Sequence, residues 1–412
     1  MRWSRLVLAF AGAGVTLPLA AAEFVLEPSF NSRLTQNDNL LMSPDDRRIE
    51  TFLLELSPRL RASASAEKWR VTLDTRVTLE RFDDDEFDFD NQNVSLQMTR
   101  RTETLSFNFV AQNARQNTRG TELQELGVIG FEVDRRDSQY FRPSVTWTMN
   151  PTNQLTVGGS FSNVHFDGFS FSDYDYYTAD VSWAHQWDEK TRFDITAFGN
   201  EYQSAPPTAM IDSFFACVFG FDGIDRFDSE TLGISVGFNR QSSTKLSYRG
   251  SVGYRDVTNE NERRCREIDN SLRIIQSEGK SDGFVLDTGL TYQGETYGVD
   301  FSLAREVTPA GLNFLTERDS FTLNVTYRFT EKLTGSLLVA GFETASIDES
   351  IPFERDGLRV GPRVIWQIDN KLSVNGGVLY RTFESLTVSG RREGINIFAG
   401  FNYRFTPTRF SR

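Results

Sequence analysis

The sequence predicts an all-β protein, a transmembrane antiparallel up-and-down β-barrel of about 18 strands, with 16 strands as the alternative. Three observations favour this fold. Apolar and polar residues alternate with a period of two along most of the chain, as in strands that separate two environments. The connections between strands are alternately short and long, which is typical of outer-membrane barrels. Hydrophobic residues reach only 39% while aromatic residues reach 13%, including 35 Phe, which fits a polar interior inside an apolar belt.

The first 22 residues have the pattern of a secretory signal peptide. Arg2 and Arg5 precede an apolar run over 6–19, and three alanines at 20–22 offer a cleavage site. The run is too short for a transmembrane helix, and no charged stop follows it. We expect a signal peptide at 1–22, a single barrel over 23–405 and a short periplasmic tail at 406–412. Export with this fold predicts the outer membrane of a Gram-negative bacterium.

The connections, rather than the alternation, decide the class, because a soluble β-sandwich also alternates. Leu232, Ile234 and Val236 alternate with Thr231, Ser235 and Asn239, and we predict that the apolar set faces lipid and the polar set faces the lumen. Tight turns at 150–153, 188–191, 241–245, 294–296, 330–332 and 369–371 alternate with longer loops, up to about twenty residues at 117–137, 205–227 and 258–281. Both termini fall on the short-turn side, which requires an even number of strands.

The tryptophans follow the same asymmetry. After the predicted signal peptide, every Trp lies on the apolar face of a predicted strand, within about six residues of a short turn. Amphipathic rings belong at a membrane interface. We therefore predict an aromatic girdle at the rim that holds both termini, formed by Trp69, Trp147, Trp183, Trp187 and Trp366.

Alternation also directs many charged side chains into the predicted lumen. The predicted lumen-lining set comprises Arg59, Arg61, Arg70, Arg76, Arg249, Arg359, Arg363 and Arg381, and the same alternation adds Arg142, Arg255, Arg328 and Arg404. Fewer acids point inward, namely Glu55, Asp74, Glu80, Asp180, Asp194, Asp287 and Asp300. This basic excess favours anionic solutes, because charges in a narrow pathway set its selectivity. The alternative is that these charges form salt-bridged ladders that stiffen the wall.

Two cysteines predict a bond between outer loops. Cys217 lies in the 205–227 loop and Cys265 in the 258–281 loop, on the same side of the barrel. Because the compartment is oxidising, we predict that they pair, against the alternative of two unpaired thiols. The first loop is too apolar for a solvated loop, so it is predicted either to narrow the pore mouth or to bind a partner subunit. Its apolar residues are Ile211, Phe214, Phe215, Val218, Phe219 and Phe221.

Other classes of function find little support in the sequence. His165 and His185 are the only histidines, and they lie roughly 20 Å or more apart along the predicted barrel. They cannot form one catalytic site, so no enzyme is expected. No metal-ligand spacing and no nucleotide fingerprint appear, and we expect no metal and no cofactor. The net charge of −13 argues against nucleic acid as a partner.

Two short stretches carry a resemblance to known proteins. The last strand, 394–405, resembles the C-terminal signal read by the outer-membrane barrel assembly machinery, although seven residues follow Phe405. The segments 26–30 (Leu-Glu-Pro-Ser-Phe) and 37–40 (Asn-Asp-Asn-Leu) resemble the opening of a β-barrel porin family associated with exopolysaccharide gene clusters. The resemblance covers the whole mature chain in architecture and only these stretches in motif.

That resemblance implies a pore for a saccharide that is exported or imported, in contact with outer-membrane lipid and lipopolysaccharide. It also implies exopolysaccharide export components as partners. The alternative is a structural or adhesive barrel that acts through its extracellular loops.

Overall fold

The chain folds into one closed antiparallel β-barrel. The computed structural model describes residues 22–44, 47–119, 121, 134–168, 171–205, 226–266, 272–309, 311, 314–347, 353–385 and 388–411. Eighteen strands each pair with the next strand in sequence, and the last of them pairs with the first. The predicted 18-strand all-β barrel is confirmed, and the alternative of 16 strands is wrong.

The strands are long, as a tilted crossing of a bilayer requires. They are β1 (Glu23–Asn37), β2 (Thr51–Ala66), β3 (Trp69–Phe82), β4 (Phe89–Arg101), β5 (Leu105–Asn117), β6 (Arg135–Asn150), β7 (Asn153–Phe166), β8 (Asp173–Gln186), β9 (Thr191–Ala205), β10 (Arg226–Gln241), β11 (Leu246–Arg266), β12 (Leu272–Gln293), β13 (Tyr297–Pro309), β14 (Leu315–Arg328), β15 (Leu333–Ser346), β16 (Glu354–Gln367), β17 (Leu372–Ser385), β18 (Val388–Arg404) and β19 (Thr408–Ser411). One 3₁₀ turn, Asp85–Phe87, lies between β3 and β4. Within the described ranges, no helix has the length and apolarity needed to cross a membrane.

The short turns are built by side chains that bind backbone N–H groups. Asp188 accepts hydrogen bonds from the N–H groups of Lys190 and Thr191, both at 2.7 Å. Asp369 accepts them from Lys371 at 2.6 Å and Leu372 at 2.9 Å. Asn, Asp, Ser and Thr favour such turns because their short side chains reach the backbone two or three residues on. These turns fix the register at the end that also holds residues 23 and 404.

The alternation of the sequence becomes an apolar outer face and a polar inner face. On β10, Leu232 is 71% exposed on the outside, and Ile234 and Val236 are exposed beside it. The residues between them, Thr231 and Ser235, line a cavity on the inner side. The faces predicted for this strand are therefore those observed. Because the inner face is polar, the interior of the barrel is a lumen rather than a hydrophobic core along most of its length.

The β11–β12 hairpin is longer than the sequence predicts. The expected strand ends were 257 and 282, whereas β11 runs to Arg266 and β12 starts at Leu272. The sequence of this segment is mostly polar and lacks the alternation that marks a membrane strand. Its backbone nevertheless pairs continuously up to Arg266 and Leu272, because a hairpin can extend beyond a membrane into water. Most of the predicted 258–281 loop is thus strand.

A short strand after β18 also pairs with β1. The sequence predicts a tail at 406–412, but Thr408–Ser411 form β19, which pairs with Glu23–Leu26 of β1. Pro28 on β1 and Pro407 lie at the interruption between β18 and β19, and the N–H of Phe405 donates to the carbonyl of Pro28 at 3.1 Å. The physical reason is that β1 begins six residues before its pairing with β18, and β19 covers the edge that would otherwise be open.

Candidate functional site

The arginine side chains of the lumen gather on one side of the barrel. We call the inward face of β16, β17, β18, β1, β2 and β3 the arginine wall. These six strands are consecutive around the barrel, because β18 closes onto β1. Strand parity places on this wall Arg33, Arg59, Arg61, Arg70, Arg76, Arg355, Arg359, Arg363, Arg381, Arg392 and Arg404. The inward acids of the same strands include Glu27, Glu55, Asp74 and Glu80.

Arg249 lies elsewhere. It is on β11, near the opposite side of the barrel in strand order, where its Nε donates to Asp287 at 3.0 Å. The remaining seven residues of the predicted lumen-lining set lie on the arginine wall. The structure therefore separates one predicted lumen residue from the other seven, because parity along a strand does not reveal which strands become neighbours on closure.

The lower part of the arginine wall encloses a cavity of about 460 Å³. No carboxylate occurs among the described residues that line it. Its arginines are Arg59, Arg76, Arg363 and Arg404, and the other polar lining residues are Ser29, Asn31, Ser57, Gln367, Ser373, Asn375 and Asn402. We call it the lower cavity. Guanidinium groups bind carboxylates, sulfates and phosphates, while hydroxyl and amide groups bind sugar hydroxyls. The lining thus suits an anion that also carries hydroxyl groups.

Some arginines of the wall are already paired. Arg59 donates to Asp74 through Nε at 2.8 Å, and Arg33 pairs with Glu55. These two ion pairs correspond to the salt-bridged ladder that the sequence analysis gave as the alternative to a solute-binding role for the lumen charges. The ladder does not extend to the whole wall, because Arg76 and Arg404 form no ion pair with any described residue. Arg363 donates only to an amide, Asn375, at 3.1 Å.

The middle part of the wall brings two like charges together, one of them buried. Arg359 and Arg381 are direct neighbours on β16 and β17. Arg381 is only 7% exposed, and its Nε has no hydrogen-bond partner among the described residues. Its Nη2 reaches the amide oxygen of Asn396 at 3.5 Å. Arg381 is thus a buried guanidinium group without a carboxylate partner among the described residues, which is costly, so this site favours an anion in the lumen.

The wall across the lumen has a different composition. We call the inward face of β7–β10 the hydroxyl wall, because Ser, Thr, Asn and Tyr predominate there. Neighbouring hydroxyls bond across strands, as between Ser160 and Thr178 at 2.7 Å and between Thr196 and Ser182 at 2.9 Å. The acids on this wall that were predicted to face the lumen, Asp180 and Asp194, form no ion pair with any described residue. The two walls therefore set up a field across the lumen, positive at one side and negative at the other.

The lumen narrows at its loop end through a cluster that the sequence analysis missed. This mouth cluster consists of Val164, Phe166, Phe171, Tyr174, Tyr202, Phe227, Val257, Phe314, Leu315, Ile347 and Phe353. Six of its members are inward residues of β7–β11, and the other five come from loops or loop ends. The N–H of Ser172 donates to the carbonyl of Gly311 at 2.7 Å, which joins the β7–β8 and β13–β14 loops. Apolar side chains thus close over part of the mouth.

A signal for this cluster is present in the sequence. Apart from Phe198, inward positions are polar or glycine through the middle of β7, β9 and β10. They become apolar or aromatic toward the loop end, at Val164, Phe166, Tyr202 and Phe227. An apolar residue facing a lumen needs a partner, and here the partners are loop residues. The ion pair between Arg255 of β11 and Glu317 of β14 also holds this region.

The predicted disulfide and the apolar loop cannot be placed. Cys217 and the loop residues Ile211, Phe214, Phe215, Val218, Phe219 and Phe221 lie outside the described residues. The backbone of Cys265 lies in β11 opposite Arg273 of β12, and its side chain lies outside the description. The bond therefore stays a prediction, as does the loop's role as a constriction.

All five tryptophans lie at the short-turn end. Trp147, Trp183 and Trp366 are two to four residues from a short turn, Trp69 directly follows one, and Trp187 is in one. They lie on the outer face by parity, with Trp187 the most exposed at 72% and Trp69 the least at 9%. His185 stacks on Trp183, with ring centroids 5.8 Å apart, whereas His165 lies at the other end of β7 beside Asp173. The two histidines do not share a site.

Comparisons with known proteins give matches among solved structures only. No protein-family model matches the chain, and no curated relative matches it. Solved structures that match include OccAB3 of Acinetobacter baumannii, at 9% identity and a TM-score of 0.46, covering 94% of this chain and 99% of that one. OpdQ of Pseudomonas aeruginosa matches at 9% and 0.45, with coverage of 94% and 99%. The ferric yersiniabactin uptake receptor FyuA of Yersinia pestis matches at 10% and 0.45, with coverage of 92% and 80%.

At TM-scores below 0.5 and identities this low, these likenesses carry no argument about function. What the chain does must be argued from its own lumen. The fold and the lumen together define a closed 18-strand barrel with an arginine-rich wall, a hydroxyl wall and an apolar mouth.

Proposed function

We propose that this chain is an outer-membrane channel of a Gram-negative bacterium that passes anionic, hydroxyl-rich solutes, with acidic saccharides as the substrate class. The lower cavity carries the proposal. Four arginines line it together with serine, asparagine and glutamine side chains. A solute with a carboxylate and several hydroxyls finds a partner there for each kind of group.

The same proposal includes the lipids and proteins that the barrel contacts. The exposed apolar outer face, with Leu232, Ile234 and Val252 among its residues, fits contact with outer-membrane lipid and lipopolysaccharide. We further propose that the strand ending at Arg404 is read by the barrel assembly machinery, and that exopolysaccharide export components are partners. An enzymatic role is not part of the proposal, because the lumen brings together binding groups rather than a nucleophile and a base.

Liposome swelling tests the substrate class. Liposomes that contain the full chain are placed in isotonic galacturonate, glucose or glucosamine, three solutes of similar size and different charge. We expect the swelling rate to fall in that order, because the arginine wall attracts the anion and repels the cation. Equal rates for the three solutes, or the reverse order, would contradict the proposal. Liposomes without protein provide the baseline.

A second function is favoured by the mouth cluster, namely a structural or adhesive barrel that acts through its loops. Ser172 and Gly311 join two loops over the lumen, and Phe166 packs on Phe171 with ring centroids 5.1 Å apart. Planar-bilayer recording separates the two functions. A channel conducts ions either as the wild type or after the mouth cluster has been opened by substitution. A barrel that conducts in neither form acts through its surface.

A further inference from the structure

The arginine wall repeats its charge at regular intervals along the lumen. Arg355, Arg359 and Arg363 occur every fourth residue of β16, so all three face inward. At ~3.3 Å per residue, consecutive members are about 13 Å apart along the strand. The three positions run from the mouth cluster down to the lower cavity.

We call the positions of Arg355, Arg359 and Arg363 the top, middle and lower levels of the wall. At each level, neighbouring strands contribute further arginines. At the top, Arg355 lies over the ring of Phe353 at 4.7 Å, and Arg392 of β18 lies near it. In the middle, Arg359 is paired in register with Arg381 of β17. At the bottom, the lower cavity joins Arg363 to Arg59, Arg76 and Arg404.

On β16 and β17, the inward positions between the middle and lower levels carry no charge. These positions are Gly361 on β16 and Leu379 on β17, and Gly377 lies in register with Arg363. A Cβ at Gly377 would lie 2.8 Å from the ring of Phe398, and a Cβ at Gly361 would lie 3.1 Å from Leu379. The glycines thus let the apolar side chains of Phe398 and Leu379 lie against the wall. This apolar surface lies between the arginines of the middle level and those of the lower level. It suits the C–H face of a sugar ring whose neighbours in the solute carry anionic groups.

At the middle level, the guanidinium group of Arg381 has no carboxylate partner among the described residues. Arg381 is buried, its Nε has no partner in the described ranges, and its neighbour is a second arginine. The negative charge of Asp38, in the β1–β2 loop, stabilises the charged form of Arg381. The positive charges of Arg359 and Arg119 destabilise it. The carboxylate of Asp38 also accepts a hydrogen bond from the N–H of Ile395 at 2.6 Å. An anionic group of a solute would supply the missing partner.

We propose that the arginine wall binds a solute with at least two anionic groups about 13 Å apart, an acidic oligosaccharide rather than a small monoanion. This inference rests on the proposed function and specifies its substrate class. A monoanion engages one level only. An oligomer that reaches two levels makes its second contact within the same molecule, which multiplies its affinity without any new kind of contact.

Titration calorimetry of the refolded full chain with galacturonate, digalacturonate, trigalacturonate and tetragalacturonate tests the inference. Affinity is expected to rise by about 10- to 100-fold from the monomer to the oligomers that span two levels. Removing the middle level with Arg359→Gln and Arg381→Gln should abolish most of this rise and leave monomer binding at the lower cavity. Arg249→Gln, an inward arginine away from the wall, is the matched control and should preserve the rise. Circular dichroism establishes that each variant is folded.

Two outcomes would overturn the inference. In the first, the monomer and the tetramer bind with equal affinity. In the second, neutral maltotetraose shows the same gain over glucose, in which case chain length rather than repeated charge is recognised. Either result leaves anion selectivity in place, because that property is measured separately by solute swelling and ion currents. Loss of anion preference in those measurements would instead reject the proposed function itself.

Discussion

The arginine wall and the hydroxyl wall are built from the same kind of strand, yet their inward faces differ in charge. On β16, Arg355, Arg359 and Arg363 repeat along one face. On β7 and β8, the corresponding inward residues include Ser160 and Thr178, which bond to each other. A barrel closes whichever polar residues line it, provided that the outer face is apolar. The difference between the walls is therefore free to serve selectivity rather than folding.

The largest expected effect comes from removing the charge of one wall only. Arg359→Gln, Arg363→Gln and Arg381→Gln together should lower the anion-to-cation permeability ratio at least about fivefold, because they remove three positive charges from the arginine wall. Planar-bilayer reversal potentials measure the ratio. The matched variant on the other wall, Asp180→Asn with Asp194→Asn, should raise the ratio slightly. Similar shifts in the same direction for both variants would show that the two walls do not differ in function.

The mouth cluster is expected to control conductance without controlling selectivity. Most of its strand residues, including Val164, Phe166 and Tyr202, come from the hydroxyl wall. Phe166→Ser with Phe171→Ser should remove apolar cover from the mouth and raise single-channel conductance about two- to threefold, while the permeability ratio stays unchanged. Phe107→Ser on the outer face is the control and should leave conductance as it is. A changed permeability ratio with unchanged conductance would reverse the assigned roles.

The seam of the barrel lies within the arginine wall, where β1 meets β18 and β19. Ending the chain at Phe405 removes β19 and leaves Glu23–Leu26 without a partner on that side. Because an open strand edge frays readily, the truncated barrel should unfold faster in urea, followed by loss of heat-modifiable migration on gels. Anion preference should be nearly unaffected. An unchanged unfolding rate would mean that β19 contributes nothing to closure.

The smallest expected effect is on the melting temperature, and it concerns two short turns, one at the end of each wall. Backbone N–H groups hold the pKa of Asp188 and the pKa of Asp369 below the ordinary value. A lowered pKa in the folded state adds stability above the unfolded-state pKa of about 3.9, and this stability is lost as pH falls through the folded-state pKa. Asp188→Asn and Asp369→Asn should each lower the melting temperature slightly at pH 7 and not at pH 2. Equal losses at both pH values would assign the effect to turn geometry alone.

Much of the fold follows from local patterns, and the exceptions have physical causes. The number of strands is recoverable because each short turn carries its own signal, as at Asp369 and Lys371. The faces are recoverable because alternation is strict on strands such as β10. The extension of β11 to Arg266 escaped prediction because a hairpin in water needs no apolar face. The pairing of β19 escaped because Pro407 ends one strand without preventing the next.

The site was predictable by residue type but not by position. Arg59, Arg363 and Arg381 were identified from parity, as was Arg249, which parity alone cannot distinguish from them. Only closure of β18 onto β1 brings the first three together and leaves Arg249 on the far side. Arg355 and Arg392 were missed because they lie at strand ends, where alternation is weakest. The mouth cluster depends on loops from separate hairpins, and no local pattern encodes which loops meet.

The central claim, that the arginine wall makes this barrel an anion-selective channel, is tested most directly by the reversal potential of the wild-type chain in a planar bilayer. A KCl gradient is applied across the bilayer, and the voltage at zero current is recorded for single channels. The account predicts a sign that corresponds to preferential flow of chloride. A reversal potential of the opposite sign, or one indistinguishable from zero, would contradict it.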